Sequence, residues 1–330
     1  MAGSFRPLTH RKSKFCYYVR AVGKTLLTPR VFCRARLEAK LSAVARYDRD
    51  YLRQRVNHYN RLTQQQPLSD QALAIEAVDK LARPRVYSFD SQEYLRYFDK
   101  SLRLRYIWGD VTHIPDEPAF VKSRPIGSNN ANAVVLKLDK IRHFNFIEDQ
   151  RPFVSKKNKL IGRGAITQPH RIRFYQRYFD HPMCDLGQTN SDKNPQWKKR
   201  KLSIGEHLDY KFILALEGND VATNLKWIMS SNSLAVMPTP RFETWFMEST
   251  LIADHHYVHI KDDYSDLEDK LNYYIAHPEA ALQIVENANA YVEQFRDHGR
   301  EDLISLLVIE KYFYRTAQLQ PVDASLYDSP

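Results

Sequence analysis

The sequence predicts an α/β protein of two Rossmann-like lobes facing across a cleft. Three observations carry this expectation. Strand-like and helix-like stretches alternate on both sides of about residue 150. The alternation is plainest after Leu160. Residues 208–236, LDYKFILALEGNDVATNLKWIMSSNSLAV, read as strand, sharp polar turn, helix and strand. That unit aims the first amides of a helix at the mouth of a parallel sheet.

Taken in order, Thr28-Pro29 marks a helix entry with Pro at the first helical position. Residues 31–62 read as one long polar helix, ended by Gln64-Gln65-Gln66-Pro67. Ser69-Asp70 opens a second helix through Leu81. Residues 85–89 read as a strand, 91–102 as a helix, and 104–108 as a strand ending at Gly109-Asp110. Pro115, Pro118, Pro125 and an Asn-rich turn at 129–132 make 111–132 a loop, followed by a strand at 133–136. Beyond it, strands are expected near 160–164, 211–216, 234–237 and 256–260. Helices are expected near 169–179, 220–230, 242–250 and 264–276, the last begun by a Ser265-Asp266-Leu267-Glu268 capping box. Residues 183–206 read as a polar loop, and 278–297 and 301–316 as closing helices. The division is therefore 1–150, a basic arm and a first lobe, and 151–330, a second lobe with closing helices. No internal repeat interrupts it.

Composition narrows the class. The 330 residues are 43% hydrophobic and 27% charged, enough for two cores. No run approaches the length of a membrane-spanning helix, and the basic N-terminus lacks a signal-peptide apolar core. A cytoplasmic location follows as the expectation. Cys16, Cys33 and Cys184 are scattered and odd in number, without disulfide or metal spacing. Residues 1–60 hold 14 Lys and Arg against Glu38, Asp48 and Asp50, a net +11, so the rest of this +10 chain sums to −1. In residues 1–30 the charges alternate with Phe15, Tyr17, Tyr18, Leu26 and Leu27. Such an arm suits an anionic membrane surface or a polyanion; a solvated helix face is the plain alternative.

In the 208–236 unit, Gly218 allows close backbone approach, and Asn219 or Asp220 is placed to cap a helix opening at Val221. A helix start of this kind attracts phosphate; an ordinary βαβ turn is the other reading. Tyr210-Lys211-Phe212, Glu217-Gly218-Asn219, Lys226-Trp227 and Ser230-Ser231-Asn232-Ser233 together resemble the donor-binding core of glycosyltransferase family 90, the CAP10-like family. Phe242-Glu243-Thr244-Trp245-Phe246, His256-Tyr257-Val258, Asp263-Tyr264-Ser265-Asp266-Leu267 and, upstream, Gly162-Arg163-Gly164 resemble further family segments in the same order. The series spans residues 103–315 and most resembles the bacterial lipopolysaccharide core transferases of the LpsA type.

The resemblance implies a GT-B architecture, with 1–150 as the acceptor-side lobe and 151–330 as the donor lobe, and an inverting, metal-independent transfer of glucose or galactose from a UDP-sugar, with no cofactor. It implies an inner-core heptose of lipopolysaccharide as acceptor, and an enzyme peripheral to the inner face of the inner membrane. Such a reaction needs one carboxylate to take the acceptor proton and cations or amides to hold the leaving diphosphate. Asp110, at a strand end before a Pro-containing loop, resembles the family's catalytic Asp; Asp116 and Glu117 are its neighbours in that loop. Arg163 matches the family's donor-binding Arg, with Gly164 beside it. The donor set continues through Gly218, Asn219, Asp220, Val221, Ala222, Thr223 and Asn224 to Lys226. Asn224 stands where the family usually has a first helix cation. Ser231 and Ser233 either bond the nucleotide or sugar or cap a turn; Glu243 either binds ribose or sugar hydroxyls or compensates a helix start. Arg124, Lys137 and His143 are placed toward the acceptor.

No metal is expected. Asp48-Arg49-Asp50 spells Asp-x-Asp, but on a helix these side chains diverge, and Asp262-Asp263 reads more simply as a helix-capping region. A transferase acting on capsule or on a protein side chain is the related alternative. A nucleic-acid-binding protein using the basic first sixty residues is the alternative from another class, although no nucleic-acid partner is expected.

Overall fold

The structure, a computed structural model, describes residues 36–81, 85–190 and 194–328. The basic arm of residues 1–30 and the helix entry at Thr28-Pro29 lie outside the described residues.

The expected long helix is broken. Helix α1 spans Leu37–Leu41, a 3-10 turn follows, and α2 begins at Arg49–Tyr59 because the Asp48 carboxylate accepts the Tyr51 amide as its cap. Strand β1 (Leu73–Ala74) precedes α3 (Ile75–Leu81), and α4 covers Arg85–Leu95 where a strand and a later helix were expected. Its buried positions, Tyr87, Asp90, Ser91, Tyr94 and Leu95, have helical spacing. Two of them are polar, which hid the period from a hydrophobicity reading. Strands β2 (Arg103–Leu104) and β3 (Tyr106–Ile107) divide the expected single strand. The expected loop 111–132 holds β4 (Ala119–Val121) and β5 (Ser123–Pro125), and β6 is Ala133–Val135. Helix α5 is Lys140–His143.

Strand β7 (Lys157–Gly164) and helix α6 (Pro169–Tyr178) follow expectation. Strand β8 (Cys184–Gln188) was hidden in the polar loop by its own Asp185, Gly187 and Gln188. A capping box forms at Ser203 and Glu206, starting α7 (Ile204–His207). Strand β9 is Tyr210–Leu214, helix α8 is only Leu225–Met229, and β10 is Leu234–Met237. The expected helix 242–250 is strand β11 (Phe242–Thr244) and a 3-10 turn instead. There the Glu248 carboxylate takes the Thr244 amide and hydroxyl, and Met247 turns back at φ 56°. Strand β12 is Val258–His259, and α9 (Leu267–Ala276) starts at Asp266, so the Ser265 capping box does not form. Helices α10 (Pro278–Glu293) and α11 (His298–Arg315) close the chain.

The chain divides into two compact units, and its path between them corrects the expected single boundary near residue 150. One unit joins Arg142–Pro240 to Thr250–Gln294; the other joins the described residues up to Ile141 to Arg241–Ser249 and to those from Phe295 onward. The last helix, α11, therefore belongs with the first half of the chain.

In the first-half unit, β3-β4-β6 form a three-stranded parallel sheet, while β1-β2 and β5-β11 are antiparallel pairs. The β3–β4 connection is a loop and the β4–β6 connection contains β5, so neither is a helical crossover. The unit is α/β but not the doubly wound lobe expected there. The other unit holds five parallel strands in the order β12-β10-β9-β7-β8. This is a doubly wound order, with its direction of winding changing between β7 and β9. Side chains alternate across it: Leu160, Leu186, Phe212, Leu214, Leu234, Val236 and Val258 share one core with Phe174 and Tyr178 of α6, Leu271 of α9 and Ile284 of α10. Gly162 lies on that face because an added Cβ would come 2.9 Å from Leu186 and 3.1 Å from Leu214.

Candidate functional site

In an open parallel sheet, the place where strand order reverses leaves a crevice at the carboxyl ends of the two diverging strands. Here those ends are Gly164 after β7 and the segment Ala215 to Asn219 after β9. Gly164 and Gly218 are both half-buried, and Asn219 is exposed. Thus Gly162-Arg163-Gly164 and Glu217-Gly218-Asn219, 54 residues apart in the chain, meet at one sheet edge.

One unanticipated side chain joins them. Arg171, in the first turn of α6, donates from Nε to the Glu217 carbonyl at 2.8 Å, from Nη2 to the Leu216 carbonyl at 2.7 Å and from Nη1 to the Ala165 carbonyl at 2.9 Å. His170 Nε2 also donates to the Glu217 carbonyl, at 2.7 Å, and Gln168 Nε2 donates to Asn219 Oδ1 at 3.0 Å. Burial pushes the Arg171 guanidinium below its usual pKa. Sequence carried a signal for it: Pro169 fixes the helix start, and a cation in the first turn opposes the helix dipole, so it calls for another partner.

The helix expected to open at Val221 opens only at Leu225, with Asn224 as its cap residue. Neither Asn219 nor Asp220 caps it. Asn224 instead donates from Nδ2 to the Leu214 carbonyl at 2.9 Å, pinning the connection back onto β9. Asp220, Val221 and Ala222 are buried, Thr223 is half-buried, and a five-residue helix is too short for the expected phosphate-binding terminus.

Several expected donor residues are placed elsewhere. Arg163 lies on a central strand, on the sheet face opposite the main core, and its guanidinium turns back along the sheet. Nη2 reaches Asp185 Oδ1 at 2.8 Å, and Nη1 reaches the Asp185 carbonyl at 2.6 Å. Gly187 makes room for it, since a Cβ there would meet Arg163 Cδ at 3.0 Å and Lys199 Cβ at 2.7 Å. Lys226 is fully buried rather than presented to solvent. Ser231 and Ser233 precede β10 and so lie at the amino end of the sheet, away from Gly164 and Gly218. The Ser231 hydroxyl donates to the Ile228 carbonyl at 2.6 Å and caps the turn, while that of Ser233 donates to the Tyr210 carbonyl at 2.8 Å and accepts from Lys156 at 2.9 Å.

Glu243 belongs to the first-half unit, because β11 pairs with β5 and sets Glu243 opposite Arg124. It accepts from Arg124 Nε at 2.7 Å, lies 3.0 Å from His58 Nε2 and 3.4 Å from Arg61, and accepts from the Ser249 hydroxyl. Burial raises its pKa, but hydrogen bonds and charges from His58 and Arg124 outweigh this and hold it well below the carboxylate range. The arginine's other nitrogens donate to the Tyr59, Ala133 and His58 carbonyls. Lys137 pairs with Glu301 at 3.0 Å, and His143 is buried. Arg124, Lys137 and His143 are thus interior groups, not the acceptor-facing side chains expected.

Asp110 follows β3 through Gly109, whose φ of 114° favours glycine. It is exposed, and its carboxylate accepts from the buried Lys122 Nζ at 2.6 Å. Of its neighbours, Glu117 is bound to Arg105 at 2.9 Å and to Ser69, while Asp116 is exposed. Among the described residues no group of three His, Cys, Asp or Glu side chains gathers at metal-binding distance. Asp48 caps α2, and Asp263 accepts the Ser265 amide in a turn.

Residues 151–300 match the family model for glycosyl transferase family 90. The chain is also 44% identical over 310 residues to the O-glucosyltransferase LpsA of Dichelobacter nodosus, covering 92% of this chain and 96% of that protein. The chain belongs to glycosyltransferase family 90. It is therefore a glycosyltransferase, and the family match covers the whole five-stranded sheet of this family 90 enzyme. Among its described residues no helix is long and apolar enough to cross a membrane.

Proposed function

We propose that the enzyme is an inverting glycosyltransferase that moves glucose from UDP-glucose to a heptose of the lipopolysaccharide inner core, with Asp110 as general base and without a metal. The observation that carries the donor half is the meeting of Gly164 and Gly218 at the winding reversal of the parallel sheet, held by Arg171. Backbone without side chains at these two points lets a diphosphate come close, and Gly218 to Asn224 supply the amides around it. Glucose is preferred to galactose because the Dichelobacter relative is named an O-glucosyltransferase. The lipopolysaccharide acceptor rests on the LpsA-type resemblance; capsule or a protein side chain is the alternative. GT-B is the architecture proposed, and the basic arm is proposed to hold the enzyme at the anionic inner face of the inner membrane.

In this reaction the acceptor hydroxyl attacks the anomeric carbon as Asp110 takes its proton, and the glycosidic bond to UDP breaks. UDP leaves with the bonding pair and added negative charge, which Arg171 is placed to offset. A thermal-shift series with UDP-glucose, UDP-galactose and UDP-N-acetylglucosamine tests the donor, since a bound ligand raises the melting temperature. UDP-glucose should give the largest rise; no rise with any of them would overturn the reading. Turnover abolished by a chelator and restored by manganese or magnesium would overturn the metal-free part.

A further inference from the structure

We propose that Arg171 is a positioning residue of the donor site: its guanidinium fork locks the loop after β7 to the loop after β9 and so sets the width of the crevice that takes the diphosphate. The inference rests on the donor reading above and extends it to a residue outside the sequence motifs.

Three observations carry it. First, the fork spans both loops, with the Ala165 carbonyl on one side and the Leu216 and Glu217 carbonyls on the other. In a doubly wound sheet the strands beside the reversal send their chains to opposite faces, so no crossover helix ties these two loops together. Arg171 supplies that tie. Second, a Cβ added at Gly218 would stand 3.4 Å from Arg171 Nη2, and one at Gly164 would stand 3.9 Å from Nη1. The guanidinium therefore lies directly beneath both glycines. Third, its hydrogen bonds go only to carbonyls, with the Glu217 carboxylate of the β9 loop as a nearby charge. A cation in the first turn of a helix opposes the helix dipole, so the backbone acceptors of both loops are what hold it there.

The geometry distinguishes arginine from lysine. A lysine keeps the charge, but its single ammonium cannot reach carbonyls on both sides in one plane. UDP binding by calorimetry on the full chain, and UDP-glucose turnover, read the difference. Arg171→Lys should weaken UDP about ten- to a hundredfold, the size of losing one hydrogen bond to a charged group. The KM for UDP-glucose should rise in proportion, with a smaller change in kcat. Arg173→Lys, an exposed residue of the same helix, should change neither. If Arg171→Lys does not fold, Arg171→Gln keeps a planar group too short to span both loops and should give the same donor-specific loss.

Unchanged UDP affinity in Arg171→Lys, or in Arg171→Gln where the lysine variant fails, overturns the inference and leaves the donor reading standing. A lower melting temperature with unaltered UDP affinity does so too, by making the residue merely structural. Wild-type protein that binds no UDP overturns the donor reading, and this inference with it.

Discussion

Charge is handled differently in the interior of the first-half unit and at the carboxyl edge of the five-stranded sheet. In the first-half unit Glu243 gathers Arg124, His58 and Arg61, and Glu301 gathers Arg55 at 2.8 Å, Lys137 at 3.0 Å and the Trp245 indole at 2.6 Å. Both carboxylates are fully buried, and these cations hold them below the usual carboxylate range despite burial. They join α2, β5, β11 and α11, segments far apart in the chain, so the charges serve cohesion. At the carboxyl edge of the five-stranded sheet, Arg171 hydrogen-bonds only to carbonyls, with the Glu217 carboxylate as a nearby charge. A buried cation in direct contact with its carboxylate has little left to offer a ligand, whereas one held by neutral carbonyls retains more of its attraction for an anion. Family motif and buried salt bridge therefore coincide at Glu243 without implying substrate contact, while the charge best placed for a donor lies outside the motifs.

Asp110 stands between these extremes, exposed yet paired with the buried Lys122. Asp110→Asn keeps its shape and removes its basicity. Loss of a general base should lower turnover by about 100- to 10,000-fold, with UDP affinity unchanged. Near-normal turnover would move the base to Asp116, and lost UDP affinity in a folded variant would make Asp110 part of donor binding.

The compensated side is tested by removing one partner. Glu243→Gln leaves Arg124 buried without its counter-charge, which should cost about 3–5 kcal/mol in urea unfolding. Replacing both by Met should recover much of that loss, because the pair then disappears together. A single-variant cost below about 1 kcal/mol would mean that the cluster behaves like a surface pair.

What could be read from the chain follows the same division. Strands β9 and β10 and helices α6, α9, α10 and α11 were legible because enough apolar residues recur along each at its own period. Helix α4 was not, because Asp90 and Ser91 sit on its buried face; nor was β8, because Asp185 and Gly187 lie on the face that accommodates Arg163. The meeting of Gly164 and Gly218 at one sheet edge, where the donor is proposed to bind, joins two segments that the motif series had singled out. The fates of Arg163, Ser231, Ser233 and Glu243 were not, since a motif records which residues recur and not which way they face. Arg124 and Glu243 were assigned to different tasks because only the β5–β11 pairing brings them together.

A third test concerns a buried amine on the compensated side. Lys311 Nζ donates to the Asn57 side-chain oxygen and to the Asn60 carbonyl at 2.7 Å, with Arg315 and Asp328 as the nearby charges. Burial pushes it from 10.5 down to about 7. The unfolded chain then binds more protons between about pH 7 and 10.5, so stability rises with pH across that window. Below pH 7 the cost of charging the buried amine is fully present. Lys311→Met should flatten the rise, by a few kcal/mol at most over the window. An identical slope in wild type and variant would show that the amine is solvated in the folded protein.

The smallest effect separates Arg163 of β7 from Arg171 of α6. Burial raises the Asp185 pKa, but hydrogen bonds from Arg163, Tyr210 and Lys199 outweigh it and hold the carboxyl at about 2. Its folded pKa is depressed, so the stability it contributes is complete above about pH 4 and is lost as pH falls toward 2. Asp185 keeps 27% of its side-chain exposure, so screening limits the contribution to about 1–2 kcal/mol. Arg163→Met should shrink that acid-limb loss and leave UDP affinity far less changed than Arg171→Lys does, because the Arg163 guanidinium is already committed to Asp185. If Arg163→Met weakens UDP as much as Arg171→Lys, Arg163 leaves Asp185 when the donor binds, and the contrast between a salt-bridged sheet face and a carbonyl-held sheet edge no longer holds.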